Sequence, residues 1–243
     1  MAYIGKKPTD VPLTAGDITD GTISNSKLAQ DIISAETALT SEPADTDEFI
    51  LSDAGTLKRI DYSLIKGGGG LIHLQTTNIT TGTASVEFTS NVDSTYNAYF
   101  FILSDVHPAT NSQPLEMTVS TDGGSSYISS NYAFSHQGRK QDGVELSHSA
   151  TNDSVFDMSS QNVGNADDES ISVQLYLHKP SGTDGHKLIS GTSTAVDGDN
   201  RVQATVFAGM NYSTTSAINA VKFNFGSGNI DRGNFTMFGI ANS

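Results

Sequence analysis

The residues that could carry out chemistry in this sequence are six histidines, many serines and a set of carboxylates that lie mostly in turns. No G-x-S-x-G or H-E-x-x-H motif is present, and the histidines are scattered from His73 to His186, so their spacing assembles no catalytic triad. With no cysteine, the chain has no thiol nucleophile, no thiolate metal site and no disulfide. We therefore expect no catalytic residue and no cofactor.

The densest group of oxygen ligands is the turn sequence Asp197-Gly198-Asp199-Asn200. Carboxylate and amide oxygens are the ligands that calcium prefers, so Asp197, Asp199 and Asn200 form one candidate calcium site. The turn lacks the spacing and the closing glutamate of an EF-hand loop. The same sequence is also a good hairpin turn without an ion. We expect no metal site, and calcium at this turn remains the alternative.

Glycoside hydrolysis would need two carboxylates at a defined separation across one cleft. The carboxylates of this chain sit in separate turns, at Asp122, Asp142, Asp197 and Asp231, and no pair is marked out by its spacing. The sequence therefore favours a protein that is not an enzyme. A small glycan depolymerase is retained as an alternative.

The residue types of this chain favour sugar binding over catalysis. Tyrosine combines a flat apolar face with a polar hydroxyl, which suits contact with sugar rings, and several tyrosines adjoin Asn or Ser near predicted strand ends. The alternative is that these rings cap the core of the fold. The candidate receptor-binding residues are Tyr96, Tyr99, Tyr127, Tyr132 and Tyr212.

Charge and hydropathy restrict the partners of the 243-residue chain. A net charge of -14, from 13 basic and 27 acidic residues, argues against nucleic acid and against an anionic membrane surface. No apolar run approaches the length of a membrane span, so no membrane insertion is expected. The two lysines near the start are followed by no apolar stretch, so we expect no signal peptide.

The elements that would position these residues are short strands. Apolar and polar residues alternate in several segments, and Gly, Asp and Asn mark turns between them. This pattern predicts an all-β, antiparallel β-sandwich, jelly-roll-like, over residues 71–243. The predicted strands are 71–77, 84–89, 98–105, 115–121, 127–134, 144–149, 155–158, 171–178, 186–195, 202–210, 218–225 and 235–240.

The first 66 residues differ from the rest of the chain. They are poor in core residues, with a possible short helix over 25–39 and a β-hairpin formed by 49–51 and 57–60. Four consecutive glycines at 67–70 predict a linker. Because so few apolar residues cannot form a core alone, we expect this extended segment to depend on association with other chains.

Two N-terminal segments resemble a known group of proteins. DITDGTISNSKLAQDI (17–32) and ADTDEFILSDAGTLKRIDYSLIK (44–66) resemble segments found near the start of bacteriophage tail-fibre proteins, especially those of marine phages, and the opening MAYIG is similar too. Asn97 to Tyr99, the motif at 120–127 and the C-terminal 218–240 resemble the β-domains of such fibres. The chain departs from the pattern because it has no long shaft of repeats.

The resemblance implies a virion protein of the phage tail, made in the host cytoplasm and usually trimeric. Residues 1–66 would be the virion-attachment and trimerisation region, bound to an adaptor, nozzle or baseplate protein. The head, 71–243, would face a host cell-surface glycan or an outer-membrane receptor. Alternatives are a tail adaptor or a capsid decoration protein without a receptor role. The attachment candidates are Tyr3, Ile4, Ile18, Ile23, Leu28 and Ile32.

Overall fold

A computed structural model describes residues 14, 16, 37–65 and 70–241 of the chain. The chain divides into two compact units, Met1–Gly67 and Gly68–Ser243. The six attachment candidates and residues 25–36 of the predicted helix lie outside the described residues, as do the glycines at 67–69. The attachment role and the linker therefore stay predictions.

The described part of the first unit is a β-hairpin followed by one helical turn. Strands β1 (Glu48–Asp53) and β2 (Thr56–Asp61) pair antiparallel, and α1 covers Tyr62–Ile65. The two turn residues, Ala54 and Gly55, both have positive φ, at 50° and 86°. This is the geometry of a two-residue type I′ turn, which matches the twist of the strands it joins. The predicted hairpin is confirmed.

This hairpin has little core of its own. No residue within 37–65 is buried, and Ile50 and Leu57 are 80% and 76% exposed. The ring of Phe49 packs against Tyr62 at a centroid distance of 6.1 Å. An isolated two-stranded hairpin is marginally stable in water, because it cannot cover its apolar side chains.

Over residues 70–241, the second unit consists of twelve strands, as the sequence predicted. Their bounds are β3 (Leu71–Ile79), β4 (Val86–Phe88), β5 (Ala98–Pro108), β6 (Leu115–Ser120), β7 (Tyr132–Lys140), β8 (Glu145–Asp153), β9 (Phe156–Asp157), β10 (Ile171–His178), β11 (Lys187–Val196), β12 (Val202–Asn211), β13 (Ala220–Phe225) and β14 (Ile230–Ile240). All of their pairings are antiparallel.

The strands form two sheets that pack as a sandwich. The large sheet has eight strands in the order β3-β14-β5-β10-β11-β12-β7-β8, and the small sheet has four in the order β4-β13-β6-β9. Without the hairpins β7-β8 and β11-β12, the remaining strands form two four-stranded sheets, β3-β14-β5-β10 and β4-β13-β6-β9. This is jelly-roll connectivity, and the two inserted hairpins extend one of its sheets.

The core lies between the small sheet and the first four strands of the large sheet. Phe88 and Phe223 of the small sheet contact Phe101 of β5 edge to face, with centroids 5.4 and 5.6 Å apart. Strand β10 shows how the sequence produces this arrangement, because Ile171, Val173, Leu175 and Leu177 are buried and the intervening residues are exposed. Complete burial of such a side chain contributes about 1.5–3 kcal/mol.

The predicted strand over 127–134 is wrong in its bounds. Strand β7 begins only at Tyr132, and the preceding segment turns back on the small sheet, where the Ile128 amide donates to the Val119 carbonyl at 2.9 Å. Asn131 then takes a positive φ of 64° before β7 begins. Apolar character alone did not reveal this turn.

Candidate functional site

Two of the five predicted receptor-binding tyrosines are core residues. Tyr99 and Tyr132 have no exposed surface, so the prediction that they contact a receptor is wrong. The Tyr99 hydroxyl donates to the Asp93 backbone carbonyl at 3.1 Å, and burial raises its pKa to about 12. Both side chains lie on the core side of their strands. The position of a residue near a strand end does not indicate which face its side chain occupies.

The other three tyrosines keep some exposure but form no common patch. Tyr96 packs edge to face on buried Tyr99 at 5.8 Å, and the ammonium of Lys222 lies 4.4 Å from the ring centroid of Tyr127. Tyr212 is 36% exposed. Within 37–65 and 70–241, no ring contact joins Tyr127 or Tyr212 to another aromatic side chain.

The predicted calcium ligands are held by cations of the protein itself. The ammonium of Lys140 donates to Asp197 Oδ2 at 2.7 Å, and the guanidinium of Arg201 lies 3.3 Å from the same oxygen. The second oxygen, Oδ1, accepts the backbone N–H groups of Asp199 and Arg201. Burial by itself raises the pKa of Asp197, but the Lys140 and backbone hydrogen bonds outweigh burial and lower it.

These contacts explain the turn as a salt-bridged structure. Asn200, the third candidate ligand, has a positive φ of 59° and donates its side-chain amide to Asp168 at 3.4 Å. Among the described residues, no group of three or more His, Cys, Asp or Glu side chains is arranged to hold a metal ion.

A different set of aromatic residues lies together on the outer face, which is the face of the large sheet directed away from the small sheet. Phe100 of β5 stacks on Tyr176 of β10 with centroids 4.6 Å apart and an interplanar angle of 30°. Phe238 of β14 lies 6.4 Å beyond Phe100, and His73 of β3 lies 5.7 Å beyond Phe238. His178 stacks on Tyr176 at 6.0 Å. We call these five side chains the aromatic row.

Strand register produces the aromatic row. Phe100 lies directly opposite Phe238 on one side and opposite Tyr176 on the other. Side chains on directly opposed residues of antiparallel strands lie on the same face and within contact distance. The neighbours of these residues along their strands point into the core, so the row faces outward.

A shallow groove continues the aromatic row onto the inserted hairpins. It has a volume of about 500 Å³ and small residues in its floor, including Ser190, Ala208 and Ser135. The three lie in register with Tyr176 on strands β11, β12 and β7. His178 hydrogen-bonds Ser190 at the boundary, with Nε2 and Oγ 3.0 Å apart. Row and groove thus form one band that crosses the strands.

Hydroxyl and amide groups lie beside this band. Thr76 and Thr236 share a hydrogen bond of 3.0 Å, and Thr236 donates to Asn234 at 2.9 Å. Asn234 in turn donates to Asn78. Flat aromatic surfaces next to such donors and acceptors can stack on the apolar faces of sugar rings and bind their hydroxyls.

The sequence contained part of this signal. Alternation in 171–178 places Tyr176 and His178 on the exposed side of their strand. The missing information was the identity of the neighbouring strands, because β5 and β14 are distant from β10 in the chain. Position near a strand end therefore did not indicate which aromatic side chains lie next to one another on the outer face.

Comparison with known proteins gives no match of any kind: no family model, curated protein or solved structure matches the chain. Within the part of the chain that the structure describes, no helix has the length and apolar character needed to cross a membrane.

Proposed function

We propose that this protein is a tail-fibre-type virion protein whose head binds a polysaccharide of the host surface along the aromatic row. The observation that carries the proposal is the continuous contact of Phe238, Phe100, Tyr176 and His178 on the outer face of the large sheet, where Tyr176 and His178 are exposed and Phe100 is 6% exposed. Packing of the sandwich core does not require aromatic side chains on the outer face of the sheet. An extended sugar chain can use it, because neighbouring strands lie about 4.8 Å apart and offer successive stacking positions.

The charge of the chain favours a neutral glycan on this face. Arg139 of β7 lines a second depression on the same sheet, and its guanidinium lies 3.6 Å from the carboxylate of Glu145. A net charge of -14 would repel an acidic polysaccharide at low salt.

The proposal for the first unit is attachment and trimerisation. It is supported by the resemblance of 17–32 and 44–66 to tail-fibre segments and by the exposed apolar side chains of the hairpin, such as Ile50 and Leu57. Three heads on one stem would add weak sugar contacts through a high effective concentration. Light scattering of the full chain tests this arrangement: we expect three times the chain mass of 25.6 kDa, and a monomer would contradict it.

Binding to an array of bacterial capsular and lipopolysaccharide glycans tests the role of the head. We expect Tyr176→Ala to lower binding by about tenfold or more, since loss of a stacked ring costs on the order of 1–2 kcal/mol. Tyr212→Ala is the matched control, because Tyr212 and Tyr176 are 36% and 37% exposed. Equal loss in both variants, or no binding by the wild-type chain, would contradict the proposal. Release of reducing ends would instead favour a depolymerase.

A further inference from the structure

The inner side of the inserted hairpins carries buried polar side chains beside core residues such as Phe134 and Phe207. Buried polar side chains on β7 and β12 include His136, Lys140, Gln203 and Thr205. The two residues of β9 pair with β6 and form the edge of the small sheet that lies against these hairpins. The segment after β9 continues beneath the hairpins, where Gly164 donates to the Val196 carbonyl at 3.1 Å.

Two adjoining cavities lie between the hairpins and this segment. The first has a volume of about 280 Å³ and is lined by residues that include His148, Asp157, Ser159 and Ser160. The second has a volume of about 230 Å³ and is lined by Lys140, Asp197 and Arg201, among others. Both are bordered by Gln161 and Asn162, and we call them together the polar cleft.

Several buried polar atoms at the polar cleft have no hydrogen-bond partner. They are Ser160 Oγ, Arg201 Nε and Gln203 Oε1. Ser160 lines the first cavity and Arg201 lines the second, whereas Gln203 lines neither and its side-chain amide donates to the Asn162 carbonyl at 3.5 Å. Ser160 is 6% exposed. An unpaired buried polar group costs about 1–3 kcal/mol, so a ligand group that pairs with Ser160 at the cavity would bind favourably there.

The donor or acceptor character of the unpaired atoms indicates which hydrogen-bonding groups a ligand must have. Arg201 Nε only donates, Gln203 Oε1 only accepts, and Ser160 Oγ does both. A hydroxyl group is both a donor and an acceptor, so a ligand hydroxyl in the first cavity can pair with Ser160 Oγ in either role. In the first cavity, Asp157 Oδ1 is held by the Ser159 amide at 2.9 Å, and Oδ2 lies 3.5 Å from His148 Nδ1. Carboxylate, imidazole and amide groups together are well suited to binding a diol.

We propose that the polar cleft binds a single saccharide unit through its hydroxyl groups. This site is on the opposite face of the large sheet from the aromatic row and uses none of its residues. The first cavity has room for one sugar ring, and its lining contains no Phe, Tyr or Trp, so hydrogen bonds supply the recognition. The unit can be a free sugar or the terminal residue of a glycan, because both present the same hydroxyls.

Saturation-transfer NMR on the full chain tests the inference. The probes are free hexoses, 6-deoxyhexoses and N-acetylhexosamines, each with its methyl glycoside. We expect at least one sugar to bind with a dissociation constant in the millimolar range. Binding of the methyl glycoside as well identifies a terminal glycan residue, and binding of the reducing sugar alone identifies a free sugar. Saturation of none of the probes would overturn the inference.

Variants then locate the site. Ser160→Ala is expected to weaken binding about tenfold, and Ser154→Ala, on an exposed serine between β8 and β9, to leave it unchanged. If Ser160→Ala does not fold, Asn162→Ala on the exposed rim gives the same test. Wild-type affinity in the folded cleft variants would show that internal water alone occupies the cleft, and the inference would fail. Tyr176→Ala should retain cleft binding while losing the polysaccharide, which separates the two proposals.

Discussion

The ammonium of Lys140 and the carboxylate of Asp197 form an ion pair of 2.7 Å in which both side chains are 8% exposed. Lys140 ends β7 and Asp197 follows β11, so the pair joins the ends of the two inserted hairpins. A buried charge is costly unless it is paired and hydrogen-bonded. The pair therefore fixes how the hairpins meet.

Removal of one partner is predicted to destabilise the head. Lys140→Met leaves the Asp197 carboxylate buried with only Arg201 beside it, and we expect a loss of about 2–3 kcal/mol in urea unfolding. Adding Asp197→Asn should recover most of this loss, because asparagine removes the charge and keeps an acceptor for the backbone N–H groups. Lys179→Met breaks the exposed pair with Asp184 and serves as the control, with little change expected. Equal losses in both single variants would contradict the argument.

The imidazole of His136 is predicted to make stability depend on pH. Burial, reinforced by the neighbouring charge of His148, lowers its pKa to about 4, against an ordinary value of 6.5. The unfolded chain therefore binds more protons than the folded chain between pH 6.5 and 4, and stability falls as the pH falls through this window. The loss approaches about 3 kcal/mol. His136→Phe should gain stability relative to wild type on acidification, measured by urea unfolding at each pH.

The carboxyl group of Asp157 is predicted to give stability the opposite dependence on pH. Burial, with a contribution from the charge of Asp153, raises its pKa to about 6 from 3.8, although the Ser159 hydrogen bonds oppose the shift. The folded chain here binds the extra proton, so stability falls as the pH rises from about 4 to 6, again by about 3 kcal/mol. Asp157→Asn should therefore gain stability relative to wild type as the pH rises. A difference from wild type that does not vary with pH, in either variant, would show that the assigned group does not titrate in this window.

The hydroxyl of Tyr132 is predicted to be structural. It accepts the backbone N–H of Val119 at 2.9 Å and donates to the Ile128 carbonyl at 3.1 Å. Strand β9 pairs with β6 only at Glu116 and Met117, so the tyrosine satisfies an amide beyond the end of the partner strand. Tyr132→Phe should cost about 1–3 kcal/mol in thermal or urea unfolding. Glycan binding by the folded variant should be unchanged, and Tyr212→Phe should alter neither property.

Local patterns in the sequence determined the fold class and the inward and outward faces of several strands. Strand β10 was predicted with its observed bounds, and its alternation placed Tyr176 on the exposed side. This works because successive side chains of a strand point to opposite faces, which is a property of a few neighbouring residues. The two-residue turn of the hairpin at Ala54 and Gly55 was equally local.

Only the tertiary structure decided which strands are neighbours. The aromatic row joins residues from β3, β14, β5 and β10, and the polar cleft joins β7, β8, the turn between β11 and β12 and the segment after β9. Such neighbours depend on jelly-roll connectivity and strand register, which no short segment encodes. The same reason explains Tyr99 and Tyr132, because burial depends on the sheet that packs against a strand as well as on the strand itself.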